Sequence, residues 1–272
     1  MTIVETPTPA CSARPAGAKI TTLVMHYTAI ESRADVVEGF MHPANEKSAH
    51  YVVDLDGTVI RMVPEAKKAW HAGVSTWNGA DDVNRVSVGI EVVNFGWADR
   101  TGPNGELQRR DRVGNGFVTR TASAPAAAVV DRRSAWANYR WAAYPEVQTV
   151  AVLALVRDIV RRNGIDPTFV VGHEHIAPGR KADPGPGFPW ARVATTLADL
   201  PAAEAWVARA VQSHAVRLGY GDSLGAAGVD GDWGKGTDKA VARIVKQHGK
   251  AYALPAATDR RAFAEALRRI PG

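Results

Sequence analysis

The sequence predicts an α/β fold, a mixed central β-sheet flanked by helices, with a small three-helix unit after it. Three observations lead there. β-branched, apolar runs at 20–28 (ITTLVMHYT) and 85–94 (RVSVGIEVVN) have the length and composition of buried strands. Stretches of helical spacing, most clearly 144–164, alternate with such runs along the chain. Near Pro201 the composition shifts, and helical patterns alone follow. The expected division is a flexible leader at 1–18, a main domain at 19–200 carrying an arginine-rich insertion at about 97–143, and a helical unit at 201–272.

With 272 residues, 46% hydrophobic and 22% charged, the chain has room for one sizeable core and the composition of an ordinary globular protein. Its apolar runs, such as that at 150–156, fall far short of the roughly 20 residues that span a bilayer, so no membrane anchor is expected. The leader, MTIVETPTPACSARPAG, lacks the basic and apolar regions of a secretory signal, so a cytoplasmic location is expected. Periplasmic location or non-classical export is the alternative. The single Cys11 cannot form an internal disulfide.

The net charge is +5, and the segment 100–140 holds eight arginines against Glu106, Asp111 and Asp131, an excess equal to the whole net charge. That segment has no zinc knuckle, RNA-binding aromatic motif or basic heptad helix, so nucleic acid is not expected as a partner. A basic rim around a site for an anionic substrate is the expectation instead.

In chain order, the first strand ends near His26. A lone strand histidine is more often a satisfied core residue than a ligand; its strand-end position and the candidates downstream strengthen its claim. A short helix is expected at 32–40, then a turn with an exposed His42. A hairpin follows at 48–60 (SAHYVVDLDGTVI), two alternating strands about Asp-Gly. His50, at its start, reads as catalytic or, equally, as a cleft-lining or structural residue. His71, in Trp70-His71-Ala72-Gly73, precedes small residues that let a substrate approach.

Glu91 lies among apolar residues of the next strand. A carboxylate there is costly unless paired, metal-linked or used, so Glu91 is the strongest general acid/base candidate. The insertion reads as irregular: a lid, a binding loop or a disordered segment. The helix at 144–164 shows an apolar face of Val147, Val150, Ala151, Ala154, Ile159 and Val160, with Gly164 as its stop.

The stretch 170–183 (VVGHEHIAPGRKAD) concentrates nitrogen and oxygen ligands beside two cations. His26, His173 or His175, and Asp183 can supply three protein ligands and leave a fourth zinc position open, as catalytic zinc sites require. Spacing does not choose between the two histidines. Both face one way if the strand continues, and Gly172 is placed to end it.

The motifs VMHYTA, SAHYVVDLDGTV, WHAG, SVGIEVVN and GHEHIAPGRKADPGPGFPW, spread over about 20–190, resemble the zinc-dependent N-acetylmuramoyl-L-alanine amidases related to peptidoglycan recognition proteins and phage amidase-type lysozymes. Within them the AmpD and AmiD group is the most similar, and it acts on muropeptides that include the 1,6-anhydro form. The resemblance implies a Zn2+ cofactor held by His26, His173 and Asp183, with Glu91 as general base and acid and Lys181 as cationic stabiliser. It places Arg180 at the carboxylates of a bound peptide and leaves His175 outside the ligand set. His71 and His50 are kept as substrate-binding candidates. Ala49 stands where phage members have a tyrosine, and the insertion is longer than the family pattern.

The C-terminal unit resembles a peptidoglycan-binding helical module through Asp230, Gly231, Gly234, Thr237, Ala240 and Val241, with Ile244-Val245 replacing the usual Phe-Gln. Its helices are expected at 206–218, at 237–248 between Thr237 and Gly249, and at 259–269 capped by Thr258. The implied partner is peptidoglycan or its muropeptide fragments. Rival readings are a non-catalytic peptidoglycan sensor and a zinc peptidase of the stem peptide.

Overall fold

The computed structural model describes residues 2–113, 116–122, 128–129 and 139–270. A six-stranded sheet is built from β1 (Ile3–Glu5), β2 (Thr22–Tyr27), β3 (Tyr51–Val53), β4 (Val59–Arg61), β5 (Ser87–Val92) and β6 (Val170–Gly172), in the order β1-β4-β3-β5-β2-β6. All neighbours are parallel except the β3–β4 hairpin, so the sheet is mixed as expected. Central parallel strands are covered on both faces, which is why β2 and β5 read as nearly continuous apolar runs.

Alternation along the strands assigns the two faces. Val52 and Ile60 pack with Val36 and Phe40 of α1 (Arg33–Met41), whose N-cap Ser32 accepts from the Asp35 amide. Leu23, Met25, Val88, Ile90 and Val92 join the larger core, which includes Val152, Val156 and Ile159 of α2 (Glu146–Asn163). Gly164, at φ 63°, stops α2 as the sequence predicts. The buried face of α2 is rotated from the expected one, with Val147, Val150 and Ala154 exposed. Gln148 accounts for the rotation: buried, it donates to the carbonyls of Val53 at 3.2 Å and Val93 at 2.7 Å.

The leader is not the flexible tail that its prolines suggest. β1 adds an edge strand, the segment Cys11–Ala13 pairs antiparallel with Lys67–Ala69, and Ala10 is buried. Arg14 pins it, donating to the carbonyls of Glu65, Asn84, Arg85 and Ser87. The insertion, too, is not irregular where it is described. Leu107–Val113 pairs antiparallel with Gly116–Thr121 and with Arg100–Thr101, and Arg140–Ala142 lies between Trp97–Ala98 and Ala128–Val129. Its segment QRRDRV is polar on both faces and carries no hydrophobic period to read. The rest of the insertion, 114–115, 123–127 and 130–138, lies outside the described residues.

After α3 (His173–Ile176) and α4 (Trp190–Thr196), the C-terminal helices are α5 (Glu204–Arg217), α6 (Lys235–Tyr252) and α7 (Arg260–Leu267). α6 begins two residues before Thr237 and runs past Gly249, and Asp259 rather than Thr258 caps α7 by accepting from the Ala262 amide at 3.0 Å. The module-like motif is tied together by one side chain. Gln212 of α5 donates to Asp230 Oδ1, the Asp232 carbonyl and Thr237 Oγ1, and accepts from the Gly231 amide. Val207, Val211, Phe263 and Leu267 of α5 and α7 belong to the same core as Phe169 and Val170, so the helical unit continues the main core.

Candidate metal centre and active site

The site lies where β2, β5 and β6 end. Register places His26 opposite Glu91 on one face of the sheet, and β6 stops with Gly172 opposite Met25, so His173 follows at the level of His26. Here the chain turns from strand into α3. Residues two apart share a face on a strand and diverge on a helix, which separates His173 from His175. His173 faces the site. His175 turns away, its Nδ1 accepting from the Gly172 amide at 2.9 Å and its Nε2 donating to the Arg268 carbonyl at 2.8 Å.

Asp183 is delivered by the loop after α3. The Glu174 amide donates to the Asp183 carbonyl at 2.9 Å, and a Cβ at Gly172 would lie 2.7 Å from Pro184 Cδ, so the close approach needs glycine. His26 Nδ1, His173 Nδ1 and Asp183 Oδ2 then lie 2.9–3.0 Å from one another. All three side chains are buried.

The surrounding hydrogen bonds define which nitrogens carry protons. His173 Nε2 faces the Ala72 carbonyl at 3.0 Å and must donate, so its Nδ1 is a lone pair. Ser87 Oγ donates to the Val83 carbonyl at 2.7 Å and accepts from His71 Nε2 at 3.1 Å; His71 Nδ1 therefore accepts from His26 Nε2 at 3.0 Å. His26 Nδ1 is then also a lone pair. Two such nitrogens against a carboxylate oxygen repel one another unless a cation or proton lies between them, and outer partners that orient ligating imidazoles are the usual support of a metal site. The donor set fits zinc. Burial, with the neighbouring His173 imidazole adding to it, lowers the His26 pKa to about 4, which favours the neutral, ligating form.

Gly89 on β5 makes room for the His71 ring: an added Cβ would fall 2.4 Å from His71 Cγ. Gly89→Ala is expected to displace His71, free His26 Nε2 and weaken metal affinity by about 10- to 100-fold, as loss of such outer partners does. Chelator competition measures it, and an unchanged affinity would contradict the relay.

Glu91 stands beside this cluster with Oε2 buried and without a hydrogen-bond partner. Leaving such an atom unpaired costs about 1–3 kcal/mol, which a fold tolerates where the group is used. Burial raises its pKa well above the usual carboxylate range; Asp183 adds to the rise, while Lys181 and Lys47 oppose it.

A cleft of about 420 Å³ opens over the centre, walled by Tyr27, Ile30, Trp70 and Trp97 and by the candidate residues His71, Glu91, His173, Arg180, Lys181 and Asp183. Lys181 is exposed at its mouth. Arg180 lines it while donating to the carbonyls of Ala72 and Val74. Lys47 and Trp97 also line it and are missed in the sequence reading; a loop lysine and a tryptophan at the start of a charged insertion carry no motif of their own.

His50 does not reach the cleft, which corrects its substrate-binding assignment. Fully buried behind His71, it accepts from the Gly89 amide through Nδ1 and donates to the Lys67 carbonyl through Nε2. The expected arginine rim is not seen at the cleft among the described residues; Arg132 and Arg133 lie outside them. Among the described residues of the insertion, Arg100 pairs with Asp99, and Arg109 and Arg120 share Asp111. Arg109 is buried and donates to the carbonyls of Phe95 and Ala29, fastening the insertion to the cleft wall. The cleft's cations are Lys47, Arg180 and Lys181.

Two imidazoles and a carboxylate at the ends of parallel strands, opening on a cleft beside an unpartnered carboxyl, make a site that could hold a metal ion next to a group able to exchange a proton. Residues 16–186 match the N-acetylmuramoyl-L-alanine amidase family, and the chain belongs to that family. It is 33% identical over 191 residues to the N-acetylmuramoyl-L-alanine amidase AmiD of Escherichia coli (strain K12), covering 67% of this chain and 55% of the relative. It is 30% identical over 145 residues to the 1,6-anhydro-N-acetylmuramyl-L-alanine amidase AmpD of Citrobacter freundii, covering 53% and 54%. The chain thus spans about half the length of the curated relatives it matches.

Among solved structures, E. coli AmiD in complex with anhydro-N-acetylmuramic acid-L-Ala-D-γ-Glu-L-Lys shares the fold, with a TM-score of 0.52, 24% identity, and coverage of 95% of this chain and 91% of that one. A selenomethionine derivative of AmpD gives a TM-score of 0.50 at 25% identity, covering 71% and 93%. No helix among the described residues is long and apolar enough to cross a membrane.

Proposed function

We propose that the chain is a zinc-dependent amidase that hydrolyses the bond between N-acetylmuramic acid, in its ordinary or 1,6-anhydro form, and L-alanine in muropeptides or peptidoglycan. The observation that carries this reading is the meeting of His26, His173 and Asp183 with the unpartnered Glu91 on one cleft. The names of the AmpD relatives and the ligand of the AmiD structure support the substrate. A cytoplasmic location goes with recycled soluble fragments as substrate, and an exported one with intact wall.

Zinc, when bound by the three ligands, supplies Lewis acidity toward the scissile carbonyl and toward water. Glu91 takes a proton from the attacking water and returns it to the alanine nitrogen as the C–N bond breaks; its raised pKa suits a group that must both accept and donate. Lys181, at the cleft mouth, offers positive charge to the developing oxyanion. Lys47 and Arg180 face the carboxylates of the stem peptide, and Trp97, Tyr27 and Ile30 shield the reacting bond from bulk water.

Incubation with an anhydro-muropeptide and with intact sacculi, followed by mass spectrometry, tests this reading. The expected product is a free peptide whose amino terminus is L-alanine. Release of amino acids from within the stem would make the protein a peptidase, and tight binding without any cleavage would make it a sensor.

A further inference from the structure

We infer that His175 is a positioning residue for the metal ligand His173, and that through it the C-terminal helical unit braces the metal centre. The inference rests on the ligand assignment above. His173 is the first residue of α3, directly after the strand-to-helix turn at Gly172, so its aim depends on how that turn is held. The His175 ring holds it from both sides. Nδ1 accepts the Gly172 amide proton at 2.9 Å, the part that glutamate or glutamine plays at the third position of many helices. Nε2 donates to the Arg268 carbonyl at 2.8 Å, just beyond the end of α7.

That carbonyl is itself fixed. Arg217 of α5, buried, donates to the carbonyls of Leu267 at 3.0 Å and Ile270 at 2.7 Å on either side of it. His214 and Trp190 pack their rings 5.1 and 5.5 Å from that of His175 and confine it. Both ring nitrogens of a fully buried histidine are thus engaged, one on the turn before the ligand and one on the last helix of the chain. The C-terminal unit then has a part in the chemistry that does not depend on glycan binding.

Two conservative variants separate the two bonds. The asparagine amide sits where Nδ1 does, so His175→Asn keeps an acceptor for Gly172 and loses the bond to Arg268; the longer His175→Gln does the reverse. Zinc affinity of the full chain, by competition with a chromophoric chelator and without substrate, is the readout, alongside thermal unfolding. His175→Ala is expected to lower affinity about tenfold or more. His175→Asn and His175→Gln are each expected to recover part of it, while all three stay folded at the assay temperature. Arg217→Met should weaken zinc as well, and combining it with His175→Ala should add little, since both changes cut one path.

The inference is overturned if His175→Ala binds zinc within twofold of the unmodified chain. It also fails if all three His175 variants fall alike and only in proportion to lost folded protein, or if the Arg217 and His175 effects are fully additive. Failure of the unmodified chain to bind zinc would overturn the metal reading itself, and this inference with it.

Discussion

Glu91→Gln leaves zinc bound and removes turnover by roughly 10²- to 10⁴-fold, the range that general acid–base catalysis supplies. The substituted amide keeps the shape of the side chain on β5 but can neither take a proton from water nor return one to the leaving nitrogen. KM should change little, because the loss falls on the transition state. The same carboxyl sets the acid limb of the pH–rate profile. It works as a base only when ionised, and burial raises its pKa, so activity falls as pH drops through a value above the ordinary glutamate value of about 4.3. Lys47 opposes that rise. Lys47→Met should therefore move the acid limb of kcat to higher pH and, because Lys47 also faces the stem peptide, raise KM. Steady-state kinetics across pH measure both; an active Glu91→Gln, or a limb that moves down in Lys47→Met, would contradict the role.

Asp183→Ala is the second large effect. It removes the only anionic donor from the three-residue cluster and leaves two neutral imidazoles. Zinc affinity should fall by well over tenfold, more than loss of an outer partner costs. Turnover at matched protein and metal should fall roughly a thousandfold, the equivalent of several kcal/mol of charge stabilisation. Equilibrium dialysis with zinc quantitation checks the first, and the amide assay the second.

The strands that build the site were legible because burial on both faces writes itself as apolar runs, and Glu91 was legible as the exception within one of them. His26, His173, Asp183 and Glu91 all come together in the structure. The choice between His173 and His175 was not open to spacing, since it depends on where strand becomes helix, and Gly172 only hints at that. His50 misled for a related reason: its ring is consumed by the backbone of Gly89 and Lys67, partners distant in sequence. The leader and the insertion were misread because edge strands and charged hairpins lack the periodicity of a core. Arg14 and Arg109 fasten these segments through backbone carbonyls, which have no sequence signature.

One metal held by His26, His173 and Asp183 is proposed to drive amide hydrolysis. The most direct measurement strips the chain with chelator, returns zinc in steps, and follows release of peptide from an anhydro-muropeptide against zinc bound. No release is expected from the stripped chain, then a linear rise that saturates at one zinc per chain, and no rise in Asp183→Ala. Full release from the stripped chain, or saturation at one zinc with no release, would contradict this role of the metal.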